Sequence, residues 1–340
     1  MFPNLLKIYP KGEALLINET KNNVFIHAVI LGYTNFNQTS KKCLDSLENE
    51  FRRDDVRFTV IDNGSPDNAA KLQEIYAVQN PNIHSVILPQ NLGFAGGMNF
   101  GASIVSTEWI LLLGSDTIFP FGAFETLYKQ LKTMPSEVGI VGPVTNDAGT
   151  AQKIDFNQKS SAEVFALYEK THSTPTGLNA PLYRADFFCV AIRTSLWDQL
   201  KGLDLSYGRG YYEDFDFCMR AKALGFSCLL LEDVFVYHQG SASFNQDPQQ
   251  KLLITNNKKI FRHKFPQAQL RHRRLDNLLT LKHYLNFPLE RLIVKEVKSR
   301  LSLRLNMAEN DCPRSFWKRW FWRNKVKKIR EQFKQLGLDL

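Results

Sequence analysis

The chain has 340 residues, 44% of them hydrophobic and 23% charged, with a net charge of +9. That size and composition fit one large folded domain, or a domain with an appendage, and exclude a disordered or fibrous chain. Apolar runs such as residues 109–113 and 228–231 fall far short of the roughly 20 residues of a spanning helix, residues 1–10 lack the pattern of a secretory leader, and five scattered cysteines with no Cys-x-x-Cys pair argue against a disulfide framework or structural zinc and for reduced, buried thiols.

Residues 24–31 form a β-branched apolar run closed by Gly32, the pattern of a buried strand. Thr39 or Ser40 caps a helix to about Glu50, with Cys43, Leu44 and Leu47 on one face. A second strand, 58–61, stops at Asp62-Asn63-Gly64-Ser65, and a polar helix covers 67–78. A third strand covers 86–88, and a Gly-rich turn opens a helix over 93–106. A fourth strand, 109–113, stops at Gly114-Ser115-Asp116. Such alternation predicts an α/β fold with a mostly parallel sheet and helices on both faces. Ligands then bind beyond the carboxyl ends of the strands. Further on, 145–176 reads as polar and loop-like with a helix near 162–170. A strand follows at 187–192, a helix at 212–224 ended by Gly225, and two short strands at 227–231 and 234–237 that lead to His238.

Five stretches carry polar groups of interest. Asp62 and Asn63, just past a strand end, suit a base or ribose, although Asx-Gly also makes turns for local reasons. In Asn91-Leu92-Gly93-Phe94-Ala95-Gly96-Gly97 the glycines permit close backbone approach, and the helix that follows offers free amides to a phosphate. No Gly-Lys-Ser/Thr closes this turn, so it is not a Walker loop. Ser115-Asp116 delivers one carboxylate to the sheet edge, where it serves a divalent cation or caps a helix before Pro120. Glu213-Asp214-Phe215-Asp216 places three acids among four aromatics (Tyr211, Tyr212, Phe215, Phe217) at a helix start. Acids complement a helix N-terminus, but aromatic neighbours make a partly buried pocket in which a carboxylate acts as a base. His238 follows a strand directly, as a structural residue or a ligand.

In this order and spacing, these five pieces resemble family 2 of the glycosyltransferases, with the closest likeness to the rhamnosyltransferase-like branch of bacterial surface-polysaccharide synthesis. The resemblance runs from residue 24 to about 243. It implies a GT-A fold, a Rossmann-like, mostly parallel sheet flanked by helices, over residues 1–247. It also implies an inverting, metal-dependent hexosyl or deoxyhexosyl transfer from a UDP- or dTDP-linked sugar to a hydroxyl of a saccharide or lipid-linked saccharide. Asp214 is then the catalytic base, and Glu213, Asp216 and Tyr212 meet the acceptor. Tyr33, Asp62, Asn63, Asn91, Gly93, Gly96, Gly97 and Ser115 meet the donor, and Asp116 and His238 hold Mg²⁺ or Mn²⁺. One departure stands out: the family's Asp-x-Asp signature has a polar first member where this chain has Gly114.

After Pro248 the character changes. Residues 251–340 hold 23 Lys and Arg against 7 Asp and Glu, and residues 1–250 hold 20 against 27. Residues 248–340 therefore read as a basic, aromatic-rich helical C-terminal region. Three of the five tryptophans fall in Phe316-Trp317-Lys318-Arg319-Trp320-Phe321-Trp322. That interleaving suits peripheral contact with an anionic membrane through residues 312–340, and with it a cytoplasmic protein at the inner membrane face. The rivals are a helical appendage packed on the body, a catalytically inactive sugar-nucleotide-binding scaffold, and a nucleic-acid-binding protein.

Overall fold

The computed structural model describes residues 5–7, 24–155, 160–172, 174–240 and 248–340. The domain boundary drawn after residue 247, most of the 1–10 stretch and Ser241 to Ser243 lie outside them. The apolar runs of the first half pair in parallel. β1 (Leu5–Lys7), β2 (Ile26–Gly32), β3 (Val56–Asp62), β4 (Ile83–Ile87) and β5 (Trp109–Gly114) lie in the order β1-β4-β3-β2-β5. The connections carry α1 (Ser40–Ser46), α2 (Ala69–Gln79) and α3 (Gly93–Ala102). Thr39 does not cap α1 through its oxygen; its hydroxyl donates backward to Asn35 O (3.0 Å).

The second half adds β6 (Thr117–Ile118), α4 (Ala123–Lys132), β7 (Val138–Val144), α5 (Ser161–His172), β8 (Asn179–Leu182), β9 (Cys189–Arg193), α6 (Thr194–Leu200), α7 (Glu213–Ala223), β10 (Ser227–Phe235) and β11 (Tyr237–His238). The nine-stranded sheet continues β5-β9-β7-β10-β8, with β9 and β8 antiparallel to their neighbours. The two short strands expected over 227–237 are a single β10 with a register shift between Leu231 and Phe235, followed by β11. β7 escapes a sequence reading because Gly139, Gly142 and Pro143 look like turn residues; inside the sheet all seven of its residues are buried.

Alternate side chains of the central strands serve two cores, as a period of two requires. Ala28 and Ile30 face Cys43, Leu44 and α4, and Val29 and Leu31 face α3. α8 (Pro248–Lys264) packs Phe261 with Tyr207 and Phe215 in a small separate cluster, and the face of Val29 receives α9 (Arg273–Tyr284), α10 (Leu289–Leu292), α11 (Lys295–Asn310) and α12 (Phe316–Gln335), which contribute Leu281, Leu292, Leu301 and Phe333 to one continuous core. Two buried ion pairs bolt α11 to the end of β10. Arg300 pairs with Asp233 and Arg304 with Glu232, all four side chains fully buried. Tyr284 OH donates to the same Glu232 (2.9 Å), and Arg304 also donates to Ala151 O (2.9 Å) and Asn277 Oδ1 (2.9 Å). The basic C-terminal region is thus built into the sheet's second layer.

Candidate active site

Gly32 pairs with Asp62, and Leu31 with Gly114, so the loops after β2, β3 and β5 leave the sheet at one edge. A cavity of about 1020 Å³ opens there. Its wall includes Tyr33, Asn63, Asn91, Gly93, Ser115, Asp116, Tyr212, Glu213, Asp214 and His238. A clasp of amides shapes the donor-side wall. Asn63 Nδ2 donates to Asn91 Oδ1 (3.2 Å) and Gly93 O (3.1 Å), and Asn63 Oδ1 accepts from Leu92 N (3.0 Å). Gly93 has φ +72°, and a Cβ there would lie 2.5 Å from Gly208 O, so only glycine lets this turn press on the 208–212 loop.

Four of the residues expected at the site do not reach the cavity wall. Asp62 is buried and accepts from Ser65 N (2.9 Å), the local Asx turn its sequence also allowed. Gly96 and Gly97 lie inside α3; a Cβ on Gly97 would sit 2.5 Å from Leu31, so that glycine lets α3 pack on β2. Asp216 is fully buried, takes a hydrogen bond from Tyr207 OH (3.0 Å), and pairs with Arg220 and with Lys264 of α8 (3.1 Å). In a helix, Asp214 and Asp216 point about 200° apart, so they cannot serve one pocket.

Asp116 starts no helix. β6 follows it and pairs antiparallel with β11, Thr117 opposite His238. That ribbon brings His238 Nε2 to 3.4 Å from Asp116 Oδ2. His238 Nδ1 lies 3.0 Å from Asp147 O, and a carbonyl only accepts, so Nδ1 carries the hydrogen and Nε2 faces Asp116. Asn146 fixes the backbone at both His238 N and O (2.8 Å each), and the ring stacks on Phe188. Burial favours the neutral ring, but the Asp116 carboxylate and Asp147 outweigh it and raise the pKa. A carboxylate oxygen and an imidazole nitrogen at this spacing suit Mg²⁺ or Mn²⁺ with diphosphate oxygens and water completing the shell. At Gly114 a Cβ would lie 3.0 Å from Asp116 Oδ1. Among the described residues no three His, Cys, Asp or Glu side chains gather into a fuller metal site.

Asp214 stands in the first turn of α7, its side chain 22% exposed. Oδ1 accepts from Phe215 N (2.6 Å), and Oδ2 lies 3.7 Å from Arg184 Nη1, which also pairs with Asp186. Burial drives its pKa up; Arg184 pulls it down, Asp186 pushes it up, and the net is a raised value. Glu213 is buried, with no hydrogen-bond partner for Oε2 among the described residues. Burial and then the charge of Asp214 raise its pKa as well. Two adjacent carboxyls in such surroundings divide their roles, one holding a proton while the other ionises.

The backbone that presents them is strained. Tyr211 and Tyr212 have φ of +73° and +79°. Asn257 of α8 holds the loop, its Nδ2 within reach of Tyr207 O (2.7 Å), Gly210 O (2.8 Å) and Tyr211 O (3.0 Å). Phe261 of α8 packs on Phe215, ring centroids 4.3 Å apart. Arg184, Asp186, Asp147, Arg209 and Arg271 also line the cavity and went unrecognised in the sequence. The one usable signal was Arg184-Ala185-Asp186, a cation and an acid two apart directly before an apolar strand.

The family model described as Glycosyl transferase family 2 matches residues 29–191. The matched segment is just under half of the chain and supports its likeness to that family. The chain resembles the uncharacterized protein Rv1525 of Mycobacterium tuberculosis, 26% identical over 161 residues, which are 46% of this chain and 57% of that one. It also resembles glycosyltransferase GlyG of Streptococcus pneumoniae, 25% identical over 104 residues, 30% of this chain and 35% of that one. The chain thus spans 57% or less of the length of these curated relatives. Among solved structures, the mannosyltransferase PcManGT of Pyrobaculum calidifontis, in complex with GDP-Man and Mn²⁺, superposes with a TM-score of 0.53 at 14% identity, covering 94% of this chain and 88% of that one. TarS 1-349 of S. aureus, in complex with UDP-GlcNAc, superposes with a TM-score of 0.50 at 14% identity, 92% of each chain covered. The glycosyltransferase fold is GT-A, as the sequence led one to expect. The matched segment ends before Asp214 and His238, so the family match covers the donor-side strands and leaves the α7 wall to geometry.

Proposed function

We propose that this protein transfers a sugar, with inversion, from a UDP- or dTDP-linked donor to a hydroxyl of a saccharide or lipid-linked saccharide. The setting is surface-polysaccharide synthesis of the rhamnosyltransferase-like kind, at the inner face of the cytoplasmic membrane. One observation carries the reading: the Asp116–His238 pair and the partly buried Asp214 line the same cavity. A cation-binding pair and a carboxylate of raised pKa are the two parts that displacement of a nucleoside diphosphate by a hydroxyl needs.

In this reading Tyr33, Asn63, Asn91, Gly93 and Ser115 seat the donor. Asp116 and His238 would hold Mg²⁺ or Mn²⁺, whose charge offsets that of the departing diphosphate. Asp214 takes the proton of the acceptor hydroxyl, and Arg184 keeps Asp214 ionised. Glu213, in its neutral form, donates a hydrogen bond to the acceptor, and the Tyr212 ring offers it a stacking face. A single base on the side away from the leaving group gives inversion. The reading also accords with neighbours of the same fold that hold GDP-Man with Mn²⁺ or UDP-GlcNAc. The test is a thermal-shift screen of nucleoside diphosphates and their sugars, with and without Mn²⁺. A cation-dependent shift with one nucleotide is expected; none with any of them would remove the donor assignment. Full activity in EDTA would remove Asp116 and His238 as metal ligands.

A further inference from the structure

α12 buries one stripe and exposes another that is equally apolar over its first two turns. Trp322, Val326, Ile329 and Phe333 are buried, and Trp322 Nε1 donates to Ala308 O of α11 (2.7 Å). Advancing about 100° per residue, Phe316, Trp317, Trp320 and Phe321 fall on the opposite side. They are 73%, 68%, 51% and 59% exposed. Their rings pair edge to face, Phe316 on Trp317 (5.5 Å) and Trp320 on Phe321 (4.9 Å), one turn apart on the same side of the helix. Soluble surfaces seldom leave four such rings together in water unless something covers them.

The charges around the patch point to what covers it. Residues 313–330 contain eight Lys and Arg and no Asp or Glu. Lys318, Arg323 and Lys325 are exposed beside the rings, and Lys327 and Lys328 extend the same outward face by one more turn. Lys327 lies 3.8 Å from Glu331. A protein interface would place few lysines in its core, and single-stranded nucleic acid favours a groove that tracks its backbone. Here the rings stand on the outer side of one helix with cations at their flanks. Trp and Phe settle at headgroup depth while Lys and Arg meet lipid phosphates. Among the described residues no helix is long and apolar enough to cross a membrane, so the contact is interfacial.

We infer that the Phe316–Trp317–Trp320–Phe321 face of α12 docks on an anionic lipid surface. It names the surface by which the protein would reach the membrane and stands apart from whether sugar is transferred, because vesicle binding needs no turnover. The test floats the full chain with vesicles of phosphatidylcholine alone or with roughly 30% phosphatidylglycerol. Binding is expected on the anionic vesicles only, weakening as salt rises. Tryptophan emission should shift to the blue and be quenched by brominated acyl chains. The pair Trp317→Ser and Trp320→Ser should lose about tenfold or more in binding, as should Lys318→Glu with Lys325→Glu. All four side chains are exposed, so unfolding midpoint and nucleotide-induced thermal shift should stay unchanged in both variants. Absence of vesicle binding, or equal binding by the ring variant, would overturn the inference. So would tighter binding to single-stranded RNA, or a dimer that the ring variant splits. Any of these would leave the glycosyl-transfer reading standing, since that is decided by the donor screen and by Asp214.

Discussion

The donor-side wall of the cavity consists of loops that directly follow β2, β3 and β5 and the turn that opens α3, carrying Tyr33, Asn63, Asn91 and Ser115. The α7 wall draws on three separated stretches, 184–186, 209–215 and 250–271. In the first, rigid parallel strands set the loops, and the amide clasp of Asn63 and Asn91 needs only neighbours in the same layer. In the second, two tyrosines with positive φ are held by Asn257 of α8, and α9 to α12 share a core with the sheet face beneath. In the proposed function, donor recognition would therefore rest on short-range structure, while the positioning of Asp214 as base would depend on the whole chain having folded. Residues remote in sequence, from the positively charged C-terminal region, are part of the α7 wall, whatever else they contact.

The sharpest way to separate the walls is Asp214→Asn. Transfer should fall by about 10²–10⁴-fold, while calorimetric binding of the nucleotide changes little; near-normal turnover would remove Asp214 as the base. Next, Arg304→Ala strands Glu232 in the core without its partner. Urea unfolding should show a loss of about 3–5 kcal/mol, and both walls should fail together. A smaller effect would mean that the C-terminal helices are an independent layer. Asn257→Ala should cost about 1–3 kcal/mol and lower kcat with little change in donor affinity, because only the 207–212 loop loses its anchor. Equal losses in both quantities would erase the contrast between the walls.

Two finer tests are electrostatic. Arg184 lowers the pKa of Asp214 against burial and against Asp186. Arg184→Gln should therefore move the acid limb of the pH–rate profile to higher pH, by about one unit; an unmoved limb would detach Arg184 from the base. On the donor side, the raised pKa of His238 means that the proton persists to higher pH than on a free imidazole. Proton and cation compete for Nε2, so Mn²⁺ affinity should rise with pH until His238 is neutral, by up to about tenfold per unit. A pH-independent affinity would place the cation elsewhere.

The sequence by itself determined the donor half. Period-two apolar runs ending in Gly or Asx define strands and their carboxyl ends, and in a parallel sheet those ends must face one crevice. It also marked the acidic run, and helical spacing could have told Asp214 from Asp216, since residues two apart in a helix point in nearly opposite directions. The roles of Asp62 and Gly97 were not legible. An Asx turn and a helix–strand contact leave the same residues in the sequence as a ligand site does, and only packing on Ser65 and Leu31 tells them apart. Tertiary structure alone decided that β9 runs antiparallel, that Thr117 pairs opposite His238 and so forms the Asp116–His238 pair, that Asn257 anchors the 207–212 loop, and that Arg271 lines the cavity. Each of those contacts joins stretches tens of residues apart, and such closures are chosen by the shared hydrophobic core, which no local pattern of residues encodes.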